Sequence, residues 1–276
     1  MLRNFLSDSR FLKMGIAFSF TMVMSCSANI LTDFSNKTTE EAYLENALKA
    51  INIGDYDGAL GYLNSITSGY RHDPKVSKAA AAAYAGKCGL NFFNMVTTIS
   101  TATVDTPLMM LMKAFQLVNV TPLSCDMSQY EIEIKYGTTS ASRPADINLF
   151  MSILGMAKMG TYLRALADTD QDTIVDPGFA DACTVPTISD ANTIEIGTGL
   201  GLVLDNITAL TAALAGNGAI VALQALQAAC GANCTITDIN SPSWNVVAVK
   251  VIRSAIKSST FGIQGCANAL FATCCP

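Results

Sequence analysis

Aspartates at alternating positions form the densest group of ligand-type side chains in the sequence. They lie in the segment DTDQDTIVDPGFAD, residues 168–181. On a tightly curled loop, alternate side chains converge on one point, and calcium prefers six to eight oxygen ligands. The carboxylates also repel one another, and no Lys or Arg follows until Lys250. The segment therefore predicts a structural calcium ion, bound by Asp168, Asp170, Asp172 and Asp176.

The D-x-D-x-D spacing resembles the calcium loops of EF-hand, dockerin and thrombospondin-type modules. The resemblance implies that the Ile174 carbonyl is a fifth ligand and that Asp181 is a sixth if Pro177-Gly178 bends the chain. Two positions depart from the pattern, because Thr173 stands where glycine is expected and Phe179 replaces the acidic twelfth ligand. The alternative is a solvated acidic turn that ends the preceding helix.

The N-terminal residues have the pattern of an export signal. Three basic residues precede an uncharged run from Met14 to Met24, which is shorter than the ~20 apolar residues of a membrane span. The run ends in Val-Met-Ser-Cys, which resembles the lipobox of bacterial lipoproteins. That resemblance implies that Cys26 is acylated, that residues 1–25 are removed, and that Ser27 directs the protein to the outer membrane. An ordinary cleaved signal is the alternative.

Eight cysteines remain once Cys26 is set aside, and an even number in an exported chain indicates a disulfide framework. The sequence does not determine the pairing, but the adjacent Cys274 and Cys275 are expected to join the C-terminal end to two different places. A zinc site is the alternative, although the Cys-x-x-x-Cys spacing and the single histidine, His72, fit zinc patterns poorly. The predicted disulfide cysteines are Cys88, Cys125, Cys183, Cys230, Cys234, Cys266, Cys274 and Cys275.

Signatures of catalysis and of nucleic-acid binding are missing from the sequence. It contains no G-x-S-x-G turn, no phosphate-binding loop and no metalloprotease helix. Paired carboxylates could serve a hydrolase, but calcium binding explains the acidic segment better. The net charge is −5, and no Lys or Arg lies between Ala165 and Val249. This distribution argues against a surface that neutralises phosphates.

Helical periodicity predicts an all-α fold. In residues 40–66, apolar or small residues recur at helical spacing on both sides of Gly54-Asp55-Tyr56, which indicates a helical hairpin. The hairpin resembles a tetratricopeptide repeat, from which Asn46 and Pro74 depart; a generic hairpin is the alternative. The resemblance implies packing against a helix that begins near Lys75. The matching residues, which should be buried, are Tyr43, Ala47, Ala59 and Leu63.

The second half of the chain is also predicted to be mainly helical. Three glycines in its second helix, Gly197, Gly199 and Gly201, would each cost ~1 kcal/mol relative to alanine. They therefore predict a close helix crossing. The segment Tyr130–Tyr136 alternates polar and apolar residues and has the pattern of a strand. The predicted helices run over residues 144–167, 189–214, 219–229 and 241–257.

Low charge and high apolar content bear on the function. Charged residues make up 14% of the chain and apolar residues 50%, which suggests that a partner covers part of the surface. We expect a non-catalytic outer-membrane lipoprotein that is a scaffold or interaction module for envelope proteins or for copies of itself. The alternative is a ligand-binding lipoprotein accessory to a periplasmic transporter, with an apolar cavity; an enzyme is the third class. The predicted regions are a signal peptide (1–25), a tether (26–38), a tetratricopeptide-like region (39–125) and a cysteine-containing helical region (126–276).

Overall fold

Ten α-helices and three short 3-10 helices provide the regular structure of the described residues. The computed structural model describes residues 38–91, 105–115, 121–213, 218–266 and 273–275. No strand lies within these ranges, where an isolated bridge pairs Ser258 with Cys266. The all-α fold predicted from the sequence is confirmed.

Several helices begin where a side chain accepts a hydrogen bond from a backbone N–H of the first turn. The capping residues are Asp55, Asp73, Thr106, Ser189 and Asn245. The helices are α1 (Glu40–Asn52), α2 (Tyr56–Asn64), α3 (Pro74–Lys87), α4 (Pro107–Ala114), α5 (Ser124–Tyr136), α6 (Ala145–Ala167), α7 (Asp190–Asp205), α8 (Ile207–Ala213), α9 (Gly218–Cys230) and α10 (Val246–Lys257).

Helices α1 and α2 form the predicted hairpin, which turns at Gly54. Gly54 has a φ of +80°, a conformation that glycine adopts without steric cost. Three of the four side chains that match the repeat pattern are buried, and the fourth, Tyr43, is half-buried. They share one apolar cluster with Val76 of α3. The hairpin thus packs against the helix near Lys75 as predicted, while its assignment to the tetratricopeptide family stays a prediction.

Helix α3 contributes to two apolar clusters because it consists largely of alanine. Ala79 and Ala83 pack with the hairpin, whereas Ala81 and Ala85 belong to the larger core. The Ser128 hydroxyl of α5 donates a hydrogen bond to the Ala81 carbonyl at 2.8 Å. Small side chains on α3 therefore let helices approach it from two sides.

Helix α6 lies at the centre of the larger core and crosses α7 at a pair of glycines. A Cβ atom at Gly155 of α6 would lie 2.5 Å from the Gly199 carbonyl oxygen, and a Cβ atom at Gly199 would lie 2.9 Å from that of Gly155. At Gly197 and Gly201 a Cβ atom would also come within 2.5 Å of a neighbouring atom. The close helix crossing predicted from the glycines is confirmed.

The strand predicted at Tyr130–Tyr136 is wrong, because these residues form the C-terminal half of α5. The adjacent Glu131 and Ile132 are both buried, which a helix packed on two sides permits. Glu131 faces Arg71, whose Nη2 lies 3.5 Å from its Oε1. Tertiary packing thus overrides the local alternation.

Two predicted helices have different bounds in the structure. The helix expected over 189–214 is divided at Asn206, whose buried amide donates to the Leu202 carbonyl at 2.7 Å. The last helix begins at Val246 rather than after Ser241, because the Asn245 side chain accepts from two backbone N–H groups of its first turn. The helix therefore begins after the Asn245 cap and not at Ser241-Pro242, where the sequence predicted its start.

Four disulfides pair all eight predicted cysteines. The Cα atoms of each pair lie 5.1 to 5.8 Å apart, the usual range for such a bond. Cys274 and Cys275 bond to different places, as the sequence predicts. The bonds are Cys88–Cys125, Cys183–Cys275, Cys230–Cys234 and Cys266–Cys274.

The residues from Tyr43 to Pro276 form one compact unit, and Met1–Ala42 falls outside it. Within the described ranges, no helix combines the length and the apolarity that a membrane-spanning segment requires. Cys26, the signal peptide and the tether up to residue 37 lie outside the described residues.

Candidate functional site

The acidic segment forms a loop directly after α6, and three of its aspartates lie close together. One carboxylate oxygen from each of Asp168, Asp170 and Asp176 lies within 4.8 Å of the other two. Asp168 is buried, Asp170 is exposed and Asp176 is half-buried. The Asp176 N–H donates to the Ala167 carbonyl at 2.7 Å and so closes the loop. The arrangement offers three carboxylates to a single cation.

Asp168 has a cationic partner within the protein. Arg164, one turn earlier on α6, places Nη1 3.1 Å from Asp168 Oδ2, and both side chains are almost fully buried. Burial raises the pKa of Asp168, and the Arg164 charge opposes that shift. Arg164 therefore balances one carboxylate of the three. Asp176 Oδ2 accepts hydrogen bonds from the Thr169 N–H at 2.8 Å and from the Thr169 hydroxyl at 2.5 Å, so Asp170 and Asp176 keep a negative charge that no basic side chain among the described residues offsets.

Thr173 has a backbone φ of +74°, at the position where glycine is expected in a calcium loop. Its N–H donates to Asp168 Oδ2 at 3.1 Å, which holds the turn. A β-branched residue in this left-handed region carries strain of ~1–3 kcal/mol. The backbone thus bends as it would with glycine, although the sequence lacks one there.

The remaining predicted ligands have other contacts. Asp172 accepts a hydrogen bond from the Ile174 N–H at 2.7 Å, and the Ile174 side chain is exposed. Asp181 accepts from the Cys183 N–H at 2.9 Å and forms an ion pair with Lys257 of α10 at 2.9 Å. These two contacts lower the pKa of Asp181. Neither Asp172 nor Asp181 belongs to the group of three carboxylates.

Three charged side chains meet inside the larger core, where α5, α6 and α7 are in contact. Lys158 of α6 is 1% exposed and forms ion pairs with Asp126 of α5 and Glu195 of α7. Glu195 Oε2 lies 2.7 Å from Lys158 Nζ. Asp126 Oδ2 is buried and has no hydrogen-bond partner among the described residues. Two carboxylates thus share one ammonium group, and the cluster has an excess of one negative charge when both carboxylates are ionised.

The second carboxylate changes the protonation of this buried cluster. Burial raises the pKa of Glu195, Lys158 lowers it, and Asp126 raises it again, so that the pKa lies above its ordinary value. Burial also raises the pKa of the nearby Tyr162, and the charges of Glu195 and Asp126 add to that rise. Glu195 therefore takes up a proton more readily than an exposed glutamate.

The sequence carries a signal for this cluster, although Lys158 and Glu195 were not among the predicted site residues. Lys158 and Glu195 are isolated charges of opposite sign in two otherwise apolar helical stretches. A lone buried charge is costly, so two such charges indicate an ion pair. Asp126 gives no comparable signal, because α5 is a polar helix.

The outer face of α5 carries a line of exposed apolar side chains, which we call the α5 stripe. Its members Leu123, Met127, Tyr130 and Ile134 are 61%, 40%, 57% and 58% exposed. Their spacing of four, three and four residues places them on one side of a helix. The same spacing produces the apolar seam of coiled coils. The stripe therefore has the form of a surface that receives another helix.

A half-open groove of about 610 Å³ lies between the loop before α7, α7 itself and the first turns of α10. Its apolar lining comprises Val185, Ile194, Trp244, Val246 and Val249. Volumes of ~300–1,000 Å³ are common for small-molecule sites. The sequence does not predict this groove, because its walls come from segments far apart in the chain.

No protein-family model, no curated protein and no solved structure matches this chain.

Proposed function

We propose that the protein is a non-catalytic lipoprotein of the outer membrane, and that it is a scaffold or interaction module in an envelope complex. The observation that supports this proposal most directly is the α5 stripe. Its four apolar side chains are at least 40% exposed to water. A partner helix packed on the stripe would remove them from water. Apolar patches of this kind mark protein contact surfaces.

The partner element that fits the stripe is an amphipathic helix with apolar residues at heptad spacing. Side chains spaced by three and four residues interlock with such a helix as knobs in holes. Helix α5 is also held firmly from behind, since its inner face packs on α3 and Ser128 bonds to the Ala81 carbonyl. A rigid stripe loses little conformational entropy on binding.

Exchange of two stripe residues for glutamine tests the interaction. Tyr130→Gln/Ile134→Gln should abolish co-purification of envelope proteins, identified by mass spectrometry, without lowering the Tm. The matched control is Ile53→Gln/Val221→Gln, which also removes two exposed apolar side chains but lies outside the stripe. A photo-crosslinker at Met127 should capture the same protein. If both variants retain the same partners, the stripe is not the interface.

Self-association is a second use of the same surface. Sedimentation of the purified protein distinguishes the two partners. A dimer that Tyr130→Gln/Ile134→Gln converts to a monomer assigns the stripe to a second copy of the chain. A wild-type monomer that crosslinks to another envelope protein assigns it to a different partner.

The membrane location rests on Cys26. We expect Cys26→Ser to move the protein from the membrane fraction to the soluble fraction, because the protein then lacks the site of acylation. Cell fractionation and metabolic labelling with a fatty acid measure this directly. Unchanged partition and labelling of the variant would remove the lipid anchor from the proposal.

We further propose that the acidic loop binds calcium as a structural ion. The converging carboxylates of Asp168, Asp170 and Asp176 would bind the ion. Asp172, Asp181 and the Ile174 carbonyl are the other ligands predicted from the sequence. A ligand that binds only the folded state stabilises it by ~2.7 kcal/mol at a concentration a hundredfold above Kd. The Tm should therefore rise with calcium and fall with a chelator, and Asp170→Asn/Asp176→Asn should abolish the difference. Equal melting in both conditions, with an empty loop in a calcium-soaked crystal, leaves a solvated acidic turn.

The alternative function, a ligand-binding lipoprotein, is favoured by the groove beside α10. Its volume fits a small molecule, but it opens to the surface instead of forming a closed apolar cavity. A ligand retained through purification and identified by native mass spectrometry would favour this alternative.

A further inference from the structure

The groove beside α10 combines an apolar lining with positive charge. Lys250 and Arg253 of α10 line it together with Trp244 and Val249, and among the described residues of its lining only Asp190 carries a carboxylate. Asp190 Oδ1 accepts a hydrogen bond from Arg253 Nη2 at 2.9 Å. Among the described residues of the lining, this pair leaves the Lys250 charge as the excess, in a chain of net charge −5.

Arg253 is fully engaged in holding the wall of the groove. Its Nη2 also donates to the Ile188 carbonyl at 2.7 Å, and its Nη1 donates to the Cys183 carbonyl at 3.2 Å. The side chain is 9% exposed. Arg253 therefore positions the segment before α7 and has little capacity for an external ligand.

Lys250, in contrast, is exposed and has no ion pair or side-chain hydrogen bond among the described residues. It is the first basic residue after Arg164. Lys250 lines the groove together with the apolar side chains of Trp244, Val246 and Val249. An occupant with one anionic group and an apolar body complements both features.

The Cys183–Cys275 disulfide makes the groove a preformed site. Both cysteines line it, and the bond joins the loop before α7 to the C-terminal segment. Together with the Arg253 contacts, this bond fixes one wall before a ligand arrives. Preformed sites bind more tightly because less ordering is needed on binding.

We propose that this groove binds a small apolar carboxylate, with the apolar body against Trp244 and Val249 and the carboxylate on Lys250. The assignment is independent of the α5 stripe. It adds a binding activity to the proposed scaffold and would persist if the scaffold proposal failed.

Fluorescence of Trp244 tests the proposal, because it is the only tryptophan of the chain. Titration of the full chain with decanoate should produce a saturable change in emission. Decanol, which has the same chain without charge, should bind several-fold more weakly, and decyltrimethylammonium should not bind. Isothermal titration calorimetry provides a second readout if the emission responds weakly.

A charge variant and a matched control locate the carboxylate. Lys250→Gln should weaken decanoate binding about fivefold, the ratio that corresponds to an exposed ion pair, and Lys250→Glu should weaken it further. Lys75→Gln removes an equal charge from an exposed position on α3 and should leave the affinity unchanged. Equal affinity for all three probes, wild-type affinity in both Lys250 variants, or no binding by either method would overturn the proposal.

Discussion

Lys158 is a charged residue at a position that helical cores usually fill with an apolar side chain. Its ammonium group forms ion pairs with both Asp126 and Glu195, and the Lys158 side chain is 1% exposed. Removal of one partner from a buried ion pair costs ~3–5 kcal/mol, because the remaining charge stays buried without compensation. Replacement of one charged residue of the cluster should therefore destabilise the protein more than replacement of all three.

We expect Lys158→Met to lower the free energy of unfolding by ~3–5 kcal/mol, since two carboxylates would lose their common cation. Asp126→Asn/Lys158→Met/Glu195→Gln should recover most of that loss, because it removes every charge of the cluster. Urea unfolding followed by circular dichroism measures both. A triple variant as unstable as the single one would show that packing, not charge, fixes Lys158.

Glu195 should give the protein a pH-dependent stability. Its pKa in the folded state lies above the ordinary value of 4.5, so the folded state binds this proton more tightly than the unfolded state. By linkage, the contribution of Glu195 is fully present below about pH 4.5 and is lost as the pH rises through the folded-state pKa.

The Glu195→Gln variant should therefore lose this decline in the free energy of unfolding above pH 4.5. Urea unfolding at a series of pH values, compared with wild type, gives the difference. Glu45→Gln, an exposed position on α1, is the control and should follow the wild-type profile. Parallel profiles for wild type and Glu195→Gln would contradict the assignment.

At the scale of the helix pair, the crossing of α6 and α7 depends on the absence of side chains at two positions. A Cβ atom at Gly199 would lie 2.9 Å from both the Gly155 carbonyl oxygen and Met159 Cγ. Backbone atoms cannot move aside as a flexible side chain can, so the helices would have to separate.

We predict that Gly199→Ala lowers the free energy of unfolding by ~1–3 kcal/mol, the usual cost of overpacking. Gly61→Ala is the matched control, because Gly61 lies within α2 and has no atom within 4 Å of the added Cβ. Gly61→Ala should stabilise the folded protein by up to ~1 kcal/mol, because alanine has a higher helix propensity than glycine. Chemical denaturation gives the free energy of unfolding of both variants. An equal change in the two would mean that the helix crossing is not tight.

The helices were largely predictable because their signals are local. Ser189 caps α7 as expected, and Pro144 immediately precedes α6. The glycines of α7 also predicted a crossing, because three glycines would otherwise only weaken the helix. In contrast, the alternation at Tyr130–Tyr136 suggested a strand, and that prediction was wrong. A helix can also bury neighbouring residues when other helices pack on two sides of it.

The candidate sites were predictable only where one short segment forms them. The spacing of Asp168, Asp170 and Asp176 anticipated that their carboxylates converge. The partner of Asp181 was not foreseeable, because Lys257 comes from a distant helix. The groove depends in the same way on where α10 docks, which no local pattern of Trp244 or Lys250 specifies.

For the whole molecule, the disulfides differ in how much of the chain they constrain. Cys183–Cys275 spans 92 residues of sequence, whereas Cys230–Cys234 spans 4. A crosslink stabilises mainly by restricting the unfolded chain, and it does so more strongly when it closes a longer loop.

We therefore expect Cys183→Ser/Cys275→Ser to cost ~2–4 kcal/mol and Cys230→Ser/Cys234→Ser to cost less. Denaturant unfolding under non-reducing conditions compares the two double variants. Peptide mapping without reductant confirms that the other three bonds remain in each. A larger loss from the short bridge would contradict this ranking.

The Cys183–Cys275 bond also sets how far the protein can be stretched. When the molecule is pulled by its two ends, tension passes from one sulfur to the other and bypasses the residues between them, which span 92 positions. At ~3.3–3.6 Å per extended residue, roughly 300 Å of contour length stays shielded from the force. In a single-molecule experiment, reduction of this bond should give the largest increase in length, and reduction of Cys88–Cys125, which spans 37 residues, a smaller one. The maximum extension of the chain therefore depends on the oxidation state of its disulfides, and most strongly on that of Cys183–Cys275.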